Sequence, residues 1–138
     1  MLSNWPTDAV LQVRYALTGR RLTMTVTVSN PTAAELPYGF GIHPYFRLPF
    51  APGGRPDDRG ICRLINEAKN TEFLLGLDRG FRELVVYTPP GRGDVISLEP
   101  YTQTTDAINL QARGVAAGLR ILGHGAQDAF VITMETRG

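Results

Sequence analysis

One cysteine, one lysine and two histidines leave this 138-residue chain few of the side chains on which most protein chemistry relies. Cys62 alone can form no intrachain disulfide and can make no structural zinc site by itself, so a reduced, cytoplasmic setting is expected. Lys69 lies in a polar turn, a poor position for Schiff-base chemistry. Fourteen basic residues against thirteen acidic ones give a net charge of +1. That leaves no excess to track a phosphate backbone, and nucleic acid is not an expected partner. No stretch approaches the ~18 to 20 apolar residues that cross a bilayer, and residues 1–6 read as neither a basic leader nor an apolar signal, so neither a membrane nor secretion is expected. The chain also has no glycine-rich loop ending in Lys-Ser or Lys-Thr, no His-x-x-x-His spacing and no serine set between glycines as a nucleophile. No metal or cofactor is expected.

What the chain does have is glycine, at 15 residues, and proline, at 10. Both punctuate turns and weaken helix interiors, which points to short strands joined by frequent turns. With 43% hydrophobic residues, residues 1–138 should close one core and read as one domain. Leu11, Val13, Tyr15 and Leu17 alternate, as do Leu22, Met24, Val26 and Val28 after Thr18-Gly19-Arg20-Arg21; this predicts a β-hairpin whose outer face carries Thr23, Thr25 and Thr27. Residues 35–42 extend again towards His43-Pro44, because a residue before proline is driven to extended geometry. Residues 49–60 are the most loop-like stretch, and residues 66–71 a polar turn. Strands are expected over 73–77, 81–88, 94–99, 119–122 and 129–135, with Ser97 and Glu99 on one face of theirs and Ile96 and Leu98 on the other. Residues 100–109 read as a loop, and no segment shows a period of 3.6. The fold class is all-β, an antiparallel β-sandwich.

Two titratable side chains stand in unusual settings: His43 within Gly39-Phe40-Gly41-Ile42-His43-Pro44-Tyr45-Phe46, and Glu99 within Leu98-Glu99-Pro100-Tyr101-Thr102. A lone histidine or glutamate is more often structural than catalytic, and position alone leaves both readings open. These two motifs, with Asn30-Pro31 before them and Thr105-Asp106-Ala107-Ile108-Asn109-Leu110 after, resemble the C-terminal half of an aldose 1-epimerase, or galactose mutarotase. The resemblance implies part of a galactose mutarotase-like supersandwich, a free sugar as substrate, and a catalytic pair that falls on His43 and Glu99. Exchanging the anomers of an aldose requires a base to take the proton of the C1 hydroxyl and an acid to protonate the ring oxygen. A histidine, with a reference pKa of about 6.5, and a glutamate, near 4.3, suit those tasks at neutrality. Glu99 is then the base and His43 the acid, with no metal, nucleotide or covalent intermediate.

Tyr45 and Tyr101 could wall a sugar face, although strand aromatics more often belong to a core. Asp106 matches the Thr-Asp-Ala-x-Asn element, although an aspartate in a turn commonly serves local backbone. Arg47 could meet substrate or solvent, His124 reads as an exposed turn residue, and Asp78 receives no substrate role. Fifty-six positions separate His43 from Glu99, fewer than in the family, whose domain is also longer and carries a further active-site histidine and arginine without counterparts here. Open sheet edges are therefore expected, covered either by a re-closed sandwich or by a second copy in a homo-oligomer. The competing reading is a non-catalytic carbohydrate-binding or interaction module that retains the motifs as scaffold.

Overall fold

The computed structural model describes residues 7–47 and 60–138. The expected loop over 49–60 therefore lies almost wholly outside the described residues. Strands β1 (Val10–Thr18) and β2 (Arg21–Ser29) form the predicted hairpin, turning at Gly19-Arg20 with Thr18 opposite Arg21. Gly19 takes φ +57°, the left-handed value that a two-residue hairpin turn asks of its first central residue and that glycine adopts without steric cost.

The other strands are β3 (Leu36–Tyr38), β4 (Tyr45–Arg47), β5 (Ile61–Asn66), β6 (Thr71–Leu77), β7 (Glu83–Tyr87), β8 (Val95–Tyr101), β9 (Arg120–Leu122) and β10 (Gln127–Arg137). They make a five-stranded sheet in the order β1-β2-β10-β6-β5, a three-stranded sheet β4-β8-β7 and a pair β3-β9, with every pairing antiparallel. The core joins Met24, Val26 and Val28 of β2, Phe130 and Ile132 of β10 and Leu75 of β6 to Ile96 and Leu98 of β8 and to Leu36 and Leu122 of the small pair. Ring pairs lock the layers, Phe46 on Phe73 at 4.7 Å and Phe40 stacked on Phe130 at 5.7 Å. The chain is all-β in class, as its alternation predicts.

The structure adds strands β4 and β5 where none was expected, and it departs from that pattern in three further places. A short helix, α1 (Ala107–Ala112), occupies the end of the expected loop. Its six residues, of which only Ala107 is buried, are too few to display a helical period. Strand β8 does not stop at Glu99 but runs through Pro100 to Tyr101; Pro100 stands opposite Leu84 of β7, and its carbonyl accepts from Ile42 N–H at 3.3 Å. Finally, every residue of β1 is exposed, whereas the alternate positions of β2 that share its inner face are buried. The apolar alternation of β1 is thus real, but nothing among the described residues covers it. No helix among those residues is long and apolar enough to cross a membrane.

Candidate active site

The site is built on β8 and on the segment that crosses it. Alternation along β8 sends Ile96 and Leu98 into the core and leaves Ser97, Glu99 and Tyr101 on the opposite face. The segment 39–43 is stitched over that face by backbone. Thr102 N–H donates to Phe40 C=O at 2.9 Å, Phe40 N–H donates to Thr102 Oγ1 at 2.9 Å, and Gly41 bridges Tyr101. A Cβ at Gly41 would collide with the Tyr101 ring, so glycine is needed there for the crossing to seat. The threonine of Glu-Pro-x-Thr thus serves as a buried clamp on the histidine segment, at 3% exposure.

This stitching brings the two predicted residues together. His43 Nε2 lies 2.9 Å from Glu99 Oε1, and Tyr101 Oη donates to Glu99 Oε2 at 3.0 Å. The Glu99 side chain is 6% exposed and that of His43 49%, so the carboxylate is enclosed while the imidazole opens to solvent. A carboxylate so enclosed is tolerable because both oxygens have partners. Its charge in turn pushes the Tyr101 phenol above its usual pKa, chiefly through their hydrogen bond and then through burial. On the far side of the imidazole, Nδ1 lies 3.2 Å from Ser97 Oγ, which donates to Pro44 C=O at 2.9 Å. Tyr45 stands over the ring, its centroid 5.0 Å from that of His43.

The remaining candidates separate. Tyr101 reaches both Glu99 and an open-sided cavity of about 510 Å³ that Gln103, Thr104, Asp106, Asn109 and Leu119 also line. Asp106 bonds locally, to Asn109 Nδ2 at 2.5 Å, with Arg113 at 3.9 Å. Arg47 is exposed at the end of β4. Asp78 accepts from the backbone N–H of Gly80 and of Val131, which holds a turn against β10. His124 is an exposed turn residue whose Nδ1 lies 2.8 Å from Thr32 C=O. Among the described residues, no three His, Cys, Asp or Glu side chains could hold a metal ion. The residues that sequence reasoning passed over are Ser97 and Thr102: the alternation of β8 put Ser97 on the face of Glu99, but only the crossing of 39–43 over that face ties it to His43.

The antiparallel sandwich has the fold of solved structures described as galactose mutarotase-like. The chain aligns with the Slr1438 protein of Synechocystis at TM-score 0.78 and 17% identity, over 96% of this chain and 56% of that one. It aligns with a galactose mutarotase-like protein of Clostridium acetobutylicum at 0.79 and 14%, over 97% and 57%, and with another of Lactobacillus casei at 0.74 and 16%, over 96% and 65%. The chain thus spans between half and two thirds of the length of these structures. In sequence, residues 2–61 match the aldose 1-epimerase family model, the family that the two motifs resemble. That segment carries His43, while Glu99 lies beyond it and is brought to His43 by the fold. No curated protein matches the chain.

Proposed function

We propose that the chain interconverts the α and β anomers of a free aldose such as galactose or glucose, with Glu99 as base and His43 as acid. The observation that carries this reading is the 2.9 Å approach of His43 Nε2 to Glu99 Oε1. The two oxygens that must exchange protons in an aldose, O1 and the ring oxygen, sit on the same carbon, so the acid and base that serve them must be neighbours. Glu99 takes the C1 hydroxyl proton while His43 gives its proton to the ring oxygen; the bond between C1 and the ring oxygen breaks and leaves an open-chain aldehyde. Rotation about C1–C2 turns the other carbonyl face to the hydroxyl of the former ring oxygen. On closure His43 recovers that proton and Glu99 returns the one it took, so the catalyst ends as it began. Tyr45 and Tyr101 flank the pair as sugar-facing walls, and Asp106 lines the adjoining cavity as a sugar contact.

Polarimetry or NMR of anomer exchange, started from pure α-galactose and pure α-glucose, tests the reading. Wild-type protein should exceed the buffer rate, and Glu99→Gln and His43→Asn should each lose about 10²- to 10⁴-fold; a wild-type rate equal to buffer sinks it. A second reading, a carbohydrate-binding module without catalysis, is favoured by the cavity beside Tyr101, which can hold a sugar away from the acid-base pair. It predicts sugar-dependent chemical shifts at Gln103 and Asn109 that persist in Glu99→Gln, with no exchange activity in any variant. The exposed β1 edge is proposed as the contact with a second copy of the chain, and a reducing cytoplasm as the setting of a chain whose single cysteine, Cys62, is buried.

A further inference from the structure

We infer that Ser97 is a positioning residue that holds His43 as the proton-charged acid, with Nε2 turned to the reacting side; the inference deepens the mutarotase reading and rests on it. Ser97 is fully buried, and a serine hydroxyl has one hydrogen to give and lone pairs to receive. Its Oγ lies between two partners, Pro44 C=O at 2.9 Å and His43 Nδ1 at 3.2 Å. A carbonyl can only accept, so when the hydroxyl hydrogen goes to Pro44, Oγ faces Nδ1 with a lone pair and Nδ1 must carry a proton. Nε2, on the other side of the ring, faces a carboxylate oxygen at 2.9 Å, which also asks for a proton. Only the doubly protonated ring satisfies both ends at once. When His43 passes its Nε2 proton to the sugar, the ring keeps its Nδ1 proton and its bond to Ser97, so the imidazole stays aimed and Nε2 is left as the acceptor that closure requires.

The same geometry accounts for the residue types around it. Pro44 follows the histidine directly and supplies the carbonyl that fixes the hydroxyl, and Tyr45 pairs with Ser97 across β4 and β8. An alanine at position 97 would keep the backbone and the volume, apart from one oxygen, but would leave Nδ1 with no acceptor on the strand. A neutral ring in that variant is free to place its proton on either nitrogen, and the ring can turn about its bond to the chain.

The test compares Ser97→Ala and Ser97→Thr with wild type by nitrogen-detected NMR of the imidazole of His43, with His124 as internal reference, and by anomer exchange at pH 7. Wild type should show a proton on Nδ1 shielded from exchange; Ser97→Ala should lose that protected proton and lose turnover about tenfold at unchanged KM, whereas Ser97→Thr should restore both. If Nδ1 keeps its protected proton in Ser97→Ala, or if threonine fails to restore it in a folded protein, the inference falls. The NMR signature needs no activity, so a wild-type protein without anomer exchange that still shows the Ser97-dependent proton would remove the mutarotase reading and leave the positioning by Ser97 intact.

Discussion

Tyr101 reports on Glu99 more directly than any other side chain, because its phenol donates to one carboxylate oxygen while His43 faces the other. A phenol that gives its proton to a carboxylate resists ionisation, since the tyrosinate would repel the charge it used to satisfy. Tyr38 is raised further, first by burial and then by its 2.5 Å bond to Asp128. Both raised groups act with one sign. Their contribution to stability is present below the ordinary phenol value of about 10 and is lost as pH rises through the raised folded values. Urea midpoints should therefore fall above about pH 10 in wild type, and the fall should be shallower in Tyr38→Phe. Ultraviolet titration of tyrosinate should show Tyr101 ionising at lower pH in Glu99→Gln than in wild type; an unchanged Tyr101 midpoint would mean that the carboxylate does not hold the phenol. At this scale the sequence was legible where a residue's neighbours are fixed by alternation. Glu99, Ser97 and Tyr101 share a face by counting along one strand, but that His43 arrives over that face depends on residues more than fifty positions away.

At the scale of elements, the two motifs are one structure, not two. Thr102 and Phe40 exchange two hydrogen bonds, one through backbone and one through Oγ1, and Ile42 N–H adds a bond to Pro100 C=O. This explains why a strand can run through proline here: Pro100 cannot donate, yet its carbonyl is what the crossing segment needs. Thr102→Val keeps the shape but leaves Phe40 N–H without its side-chain acceptor, which should cost about 1–3 kcal/mol in urea unfolding. It should also lower anomer exchange, because His43 rides on the same segment. A variant with wild-type stability and rate would show that the clamp is dispensable. Gly41→Ala should do more harm to activity than to stability, since the Tyr101 ring must move from the carboxylate to make room. The hairpin strands and β10 were readable because each runs for nine or more residues, long enough for several apolar residues to recur at period two. Helix α1 was not, because one and a half turns carry no period, and the extension of β8 was not, because proline in a sequence ordinarily signals a strand end.

At the scale of the molecule, β1 is the strand left with both its face and its outer edge exposed. Leu11, Tyr15 and Leu17 are 58%, 65% and 74% exposed, although they share a face with the buried Val28, Met24 and the partly buried Leu22. The hairpin turn settles which backbone groups are unpaired on this edge. Closure on Thr18 opposite Arg21 makes the even-numbered residues of β1 the hydrogen-bonded partners of β2, and directs the N–H and C=O of Leu11, Val13, Tyr15 and Leu17 outward. A two-fold copy adding antiparallel to this edge pairs those odd-numbered residues whenever its axis passes through one residue of β1, and the registers centred on Arg14 and on Val13 set very different side chains opposite each other. Centred on Arg14, it sets two guanidinium groups directly opposite each other, which is unfavourable. Centred on Val13, it sets Val13 on Val13, Leu11 on Tyr15 and Gln12 on Arg14, joining the apolar strips and separating the charges. Sedimentation of the wild-type chain should therefore give twice its 15.1 kDa. Val13→Lys, which places two ammonium groups face to face only in that register, should give a folded monomer, while Arg14→Ala should leave the dimer intact. Dissociation by Arg14→Ala but not by Val13→Lys would reject this register, and a wild-type mass of one chain at tens of micromolar would reject the pairing altogether.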